Sequence, residues 1–300
     1  MAISLAILLP DSGGGGINTF YAPYLLGNKG AFQRSIAIDA NPFAHQLDVD
    51  ADHLPILPPP LNIYLAVARD AYARALESKA DVLETCDWPL SFAPAVLEQR
   101  APYIVQCHGS MGQIAEYDPQ EGAGLLEAIV QLIEPQLLQC AHRIQTSTHA
   151  NQSFWERTTG RSVQLIRPAF ALPPLPSDLT VQPIGRAFGR LQRWKGPHIL
   201  CEALVRLGKH APQIDWHGGV KPWGSGDWPA DRRIATDFPG VFGVSFHHRP
   251  AIPRDEVLKL QASALFNVIP STWDVFNFTA VESMAARVPP SFPQERALAN

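Results

Sequence analysis

Arg190 and Lys195 share one short run, Gly189-Arg190-Leu191-Gln192-Arg193-Trp194-Lys195-Gly196, with glycine at both ends. The run lies between a strand-like segment and Pro197–Leu207, whose apolar residues recur at helical intervals. A loop so placed opens a helix, where unpaired N–H groups and the positive end of the dipole favour an anion. A guanidinium fork and an ammonium point charge added there suit a diphosphate. Farther along, Asp274 and Glu282 stand eight positions apart, a spacing that brings both carboxylates near one helix entrance. Cations for a leaving diphosphate and carboxylates for sugar hydroxyls together point to glycosyl transfer from a nucleotide-sugar. Asp274 could equally cap its helix. Glu282, inside an apolar helix, needs a partner for its charge.

Other groups are less specific. Gly13-Gly14-Gly15-Gly16 follows the first strand and lets backbone approach a ligand closely, but the spacing is not a dinucleotide fingerprint and a plain turn remains open. His108, in Cys107-His108-Gly109-Ser110, closes a strand where a side chain can donate to a sugar hydroxyl or phosphate; a structural histidine is the alternative. Asp87-Trp88 ends the preceding strand and offers an acid and a flat apolar face. Gly218-Gly219, after the strand Gln213–His217, is another place where backbone N–H groups can face a phosphate. His217, His247 and His248 lack a carboxylate or thiolate at ligand spacing, so they read as packing or surface residues, and no metal site is expected.

These residues need a frame that gathers strand ends. Strands are expected at Ser4–Leu9, Ser35–Asp39, Asp81–Cys86, Tyr103–Cys107, Arg143–Thr146 and Val163–Ile166, with helices at Leu61–Ser78 and Gly124–Cys140. Such alternation implies a parallel sheet wrapped by helices. Pro168–Pro183 reads as a proline-rich linker. A second alternation follows: strand Ile184–Gly189, helix Gly196–His210, strands Gln213–His217 and Val241–Phe246, helix Arg254–Ala262, strand Leu265–Ile269 and helix Phe276–Ala286. The expected architecture is α/β, with two doubly wound Rossmann-like domains, 1–170 and 171–300, facing a cleft at the carboxyl ends of their strands.

Three hundred residues, 46% apolar and 17% charged, suffice for two cores. The net charge of −4 divides unevenly, −7 over residues 1–170 and +3 over 171–300. The acidic first half argues against a nucleic-acid partner, and the basic excess falls in the half with the phosphate loop. Cys86, Cys107, Cys140 and Cys201 are too scattered for a zinc or disulfide framework and read as reduced, buried thiols. Met1–Pro10 reads as a buried strand rather than a signal peptide, and no apolar run approaches the ~20 residues of a membrane span. The expected location is the cytoplasm, with docking at the inner face of the membrane as a variant of it.

With these residues in place, the sequence resembles the retaining group 1 glycosyltransferases, which carry two facing Rossmann-like domains in the GT-B fold. The family signature G-R-x(4)-K-G is met by Arg190 and Lys195, and E-x-F-G-x(4)-E by Asp274, Phe276 and Glu282. The resemblance implies a first domain on the acceptor side and a second that binds the donor. It implies that Arg190 and Lys195 hold the leaving diphosphate in place of a metal, with no cofactor beyond the nucleotide-sugar. Glu282 would bind ribose hydroxyls, Asp274 the transferred sugar, and His108 the sugar near its anomeric carbon. Gly218, Gly219, Phe276 and Asn277 would line the donor site, and Gly15 and Gly16 the acceptor and phosphates. Acceptors of this class are glycans, lipid-linked molecules or small metabolites.

Three departures stand out. Asp274 is one methylene shorter than the usual glutamate, and Asn277 replaces the usual glycine. Pro290–Asn300 shows no strand pattern where the family continues, so the second domain is expected to be incomplete and the chain truncated. The alternative function is accordingly a non-catalytic remnant that binds a nucleotide-sugar.

Overall fold

The computed structural model describes residues 3–10, 16–26, 32–41, 59–119, 124–169, 179–224, 228–288 and 290–292. The chain divides into two units, one drawn from Met1–Glu116 and Gly124–Ala171, the other from Tyr117–Ala123 and Leu172–Ala299.

The first unit is built on β1 (Ile3–Leu9), β2 (Phe32–Asp39), β3 (Val82–Cys86), β4 (Tyr103–Cys107), β5 (Arg143–Thr146) and β6 (Gln164–Leu165), all parallel, in the order β2-β1-β3-β4-β5-β6. Leu5 to Leu8 are all buried, the continuous apolar run of a strand covered on both faces. The intervening helices are α1 (Gly16–Leu26), α2 (Pro59–Glu77), α3 (Ala93–Glu98), α4 (Met111–Tyr117), α5 (Leu125–Gln139) and α6 (His149–Thr159). The strand order reverses between β1 and β3, so the loops leaving their carboxyl ends diverge there and open a crevice.

The second unit holds β7 (Gln182–Phe188), α7 (Pro197–Leu207), β8 (Ile214–His217), α8 (Ala230–Asp237), β9 (Phe246–Arg249), α9 (Arg254–Ala262), β10 (Ala264–Val268), α10 (Phe278–Ala285) and β11 (Pro290–Ser291). Its sheet is parallel in the order β11-β10-β7-β8-β9, and the order reverses between β7 and β10. Alternate residues of the strands, Ala187, Ile214, Trp216 and Phe246, pack on Leu200, Cys201 and Leu204 of α7 and Ile234 of α8. On the other face Asn267 donates to Ser283 Oγ of α10 at 2.8 Å.

Two expectations for this unit change. The strand expected at Val241–Phe246 is a turn closed by Gly243 at φ +77°, and the ladder instead uses Phe246–Arg249. Val241 and Phe246 are both buried, which made the segment read as a strand, but Val244 between them is exposed. Beyond α10 the sheet gains a fifth strand, β11, whose Pro290 and Ser291 pair with Asn267 and Val268. A two-residue strand opening on proline carries no legible alternation.

Candidate functional site

In the second unit the loops leaving β7 and β10 meet at the point where strand order reverses. The β7 loop passes through Gly189, a short 3-10 turn over Arg193–Lys195, and Gly196 at φ +77°, then enters α7. Gly196 is held by space as well as by its φ, because a Cβ there would lie 2.0 Å from Pro270 O of the β10 loop. Thr272 adds two bonds to Trp194 O, from its N–H at 2.9 Å and from Oγ1 at 3.0 Å. This close docking brings Lys195 Nζ into an ion pair with Asp274 Oδ1. The same ammonium lies 4.1 Å from the centre of the Trp194 ring.

Asp274 does not cap α10. Asn277 does, its Oδ1 accepting from Ala280 N at 3.0 Å while its Nδ2 donates to Asp274 Oδ2 at 2.7 Å. The residue that stands in for a glycine thus organises both the helix and the acid. Phe276 packs edge-on against Phe278 with ring centres 4.8 Å apart. Glu282, 5% exposed, finds its partner in Arg254 of α9, whose Nε and Nη2 donate to Oε1 at 3.2 and 2.8 Å. Burial raises the Glu282 carboxyl and the guanidinium opposes that rise. Arg190 is exposed on the β7 loop, and Arg193 pairs with Asp118.

Gly218 corrects an expectation. Its N–H is committed to Arg249 O at 3.1 Å rather than turned out to a phosphate. Glycine is required there because a Cβ would lie 1.9 Å from Gly189 O, so Gly218 holds the β7 loop from below. Gly219 O likewise accepts from Leu191 N at 2.8 Å. His248 bonds Gly218 O at 2.8 Å, and His217 touches the buried Arg186–Asp215 pair through Arg186 Nη1 at 3.1 Å.

In the first unit His108 follows β4, its ring set edge-on to Phe20 at 4.8 Å and Tyr21 at 5.5 Å. Its Nε2 is closed off from solvent and has no hydrogen-bond partner among the described residues, and burial lowers the imidazole to about 3, which keeps it neutral. Asp87, 0% exposed, accepts from His108 N at 2.9 Å and Gly109 N at 3.0 Å. Burial raises its carboxyl to about 7. Trp88 is half-buried. Glu134 of α5 is buried and receives Ser110 Oγ–H at 2.5 Å. Gly15 lies outside the described residues, and Gly16 opens α1. All four cysteines are free, with Cys140 exposed rather than buried.

No family model matches the chain, and no curated protein matches it. Solved structures do. Sucrose-phosphate synthase from Thermosynechococcus elongatus, 20% identical, superposes with a TM-score of 0.71 over 97% of this chain and 81% of its own. Anabaena HepE in complex with UDP-glucose, 16% identical, gives 0.65 over 97% and 80%. Trehalose-6-phosphate synthase OtsA, 14% identical, gives 0.61 over 96% and 84%. The chain has the GT-B fold. At these identities the likeness is one of fold, and this chain is the shorter member of each pair. The GT-B architecture agrees with the two parallel sheets expected from the alternation of segments.

Sequence reasoning missed Arg254, Thr272 and the double acceptor role of Asp87. Arg254 lies 28 positions from Glu282 and on another helix, so no spacing rule joins them. The buried Glu282 did signal that some cation had to be near. Among the described residues no three His, Cys, Asp or Glu side chains converge to hold a metal, and no helix is long and apolar enough to cross a membrane.

Proposed function

We propose that this protein is a glycosyltransferase that moves a sugar from a nucleotide-diphosphate-sugar to a hydroxyl acceptor with retention at the anomeric carbon. The observation that carries the reading is the meeting of Lys195 and Asp274, 79 positions apart, where β7 and β10 part. Ligands of doubly wound sheets bind at that place. A cation and a carboxylate there match the two halves of a sugar-diphosphate. The pair is self-neutralised as it stands, and a donor would exchange it for a phosphate oxygen on Lys195 and a sugar hydroxyl on Asp274.

In this reading Arg190 and Lys195 offset charge on the leaving diphosphate without a metal ion, a contribution of roughly 3–4 kcal/mol per donor group at such sites. Glu282 takes the ribose hydroxyls, with Arg254 paired to its carboxyl group. Gly219, Phe276 and Asn277 line the donor site, and Gly218 shapes it. His108 donates from a neutral ring to the transferred sugar near its reacting carbon, and Gly15 and Gly16 lie toward the acceptor. The first unit is then the acceptor side and the second the donor side. HepE, a structural neighbour, is known bound to UDP-glucose, which makes UDP-glucose the donor to try first. Four free thiols fit a reducing cytoplasm.

The test is incubation of the protein with UDP-glucose, with release of UDP and the configuration of the glucoside or free glucose followed by proton NMR. An α-configured first product is expected. A β-configured first product contradicts retention, and no UDP release with any hydroxyl acceptor contradicts transfer.

A further inference from the structure

Asp87 is a buried carboxyl that pairs with no Lys or Arg among the described residues. The groups recorded around it are Tyr21 from α1, Cys86 from β3, Cys107 from β4 and Glu134 from α5, none of them cationic. A carboxylate in such a place is costly unless hydrogen bonds replace its water. Here the replacement comes from backbone. Oδ1 accepts from His108 N at 2.9 Å and Oδ2 from Gly109 N at 3.0 Å, one oxygen for each N–H of the turn. The turn needs this grip because Gly109 sits at φ +108°, outside the region that favours other residues. The strand pairing makes the grip possible: Cys86 is in register with Gln106, so the residues just beyond β3 and β4 come side by side. No uncharged side chain of this size offers two acceptor oxygens in a fork; asparagine would aim an NH2 group at one of the two N–H groups.

We propose that Asp87 is a positioning residue for His108, its two carboxylate oxygens holding both N–H groups of the His108–Gly109 turn and so fixing where the imidazole points. What it fixes is a ring lodged against the edges of Phe20 and Tyr21, with Nε2 shut away from water and, among the described residues, without a partner. A ring nitrogen desolvated and unpaired is ready for a ligand hydroxyl. The inference rests on the reading of His108 as the residue that meets the transferred sugar.

The test uses Asp87→Asn, His108→Ala and the double variant, with side-chain 15N NMR of His108 and donor kinetics on UDP-glucose. In D87N the His108 ring resonances are expected to move, and its titration to rise toward the ordinary value near 6.5. Turnover is expected to fall about 100-fold, the scale of a misplaced group, with donor KM changed less than about twofold. The double variant should be no slower than H108A. A His108 signal identical in D87N and parent overturns the proposal, and so do losses that multiply in the double variant. If D87N does not fold, the parent decides: the backbone amides of His108 and Gly109 should shift together on one titration of Asp87, expected near 7, and their failure to move together overturns the proposal. A released His108 in D87N, with H108A turning over like the parent, upholds the positioning and sinks the sugar-contact reading instead.

Discussion

Glu84 and Asp87 bracket the end of β3, and burial raises both to about 7, with Tyr21 and Gln145 tempering Glu84. Unfolded, they would titrate near 4, so between about pH 4 and pH 7 the folded chain holds protons that the unfolded chain has lost, and stability falls as pH rises. His108 acts oppositely: lowered to about 3, it makes stability rise with pH between there and its ordinary value near 6.5. Glu84→Gln removes one falling contribution. Relative to the parent, it should gain stability between pH 5 and pH 8, by up to about 3 kcal/mol, in urea unfolding. A difference from the parent that does not change with pH contradicts this. Arg254→Met should destabilise the chain by about 2 kcal/mol, because Glu282 stays buried without its counter-charge. Glu282→Gln added to it should return part of the loss, and two additive losses would mean that the pair is not coupled.

Among the elements, the β7 loop is held by close backbone approaches at two glycines. Gly196→Ala and Gly218→Ala each drive a methyl into backbone, Pro270 O in one case and Gly189 O in the other. Each should cost more than about 2 kcal/mol in chemical denaturation and weaken nucleotide binding as well. Gly219→Ala, which meets nothing within 4 Å, should leave the fold intact. The loop was legible in sequence because its chemistry lies in one run between a strand and a helix. The central strands were legible too, since burial on both faces leaves continuous apolar runs such as Leu5–Leu8. Less could be read at the sheet edges. Strand β9 carries His247, His248 and Arg249, polar residues suited to an edge, and β11 is only two residues long. Partners on separate elements, Arg254 with Glu282 and Arg193 with Asp118, depend on tertiary placement and left no spacing to read.

At the scale of the whole molecule, each of the two units carries candidate site residues: His108 and Asp87 beyond the strands of one, Lys195, Asp274 and Glu282 on the loops and helix α10 of the other. That division matches the GT-B fold, and it makes the second unit separately testable through the nucleotide alone. The most direct measurement is a calorimetric titration of the full chain with UDP, alongside Arg190→Ala and Lys195→Ala. One site per chain is expected in the parent, with at least a tenfold weaker affinity in each variant, because a charge-assisted hydrogen bond of about 1.5–3 kcal/mol is lost. A folded parent that takes up no UDP, or variants that bind it as the parent does, would contradict the assignment of this loop to a diphosphate.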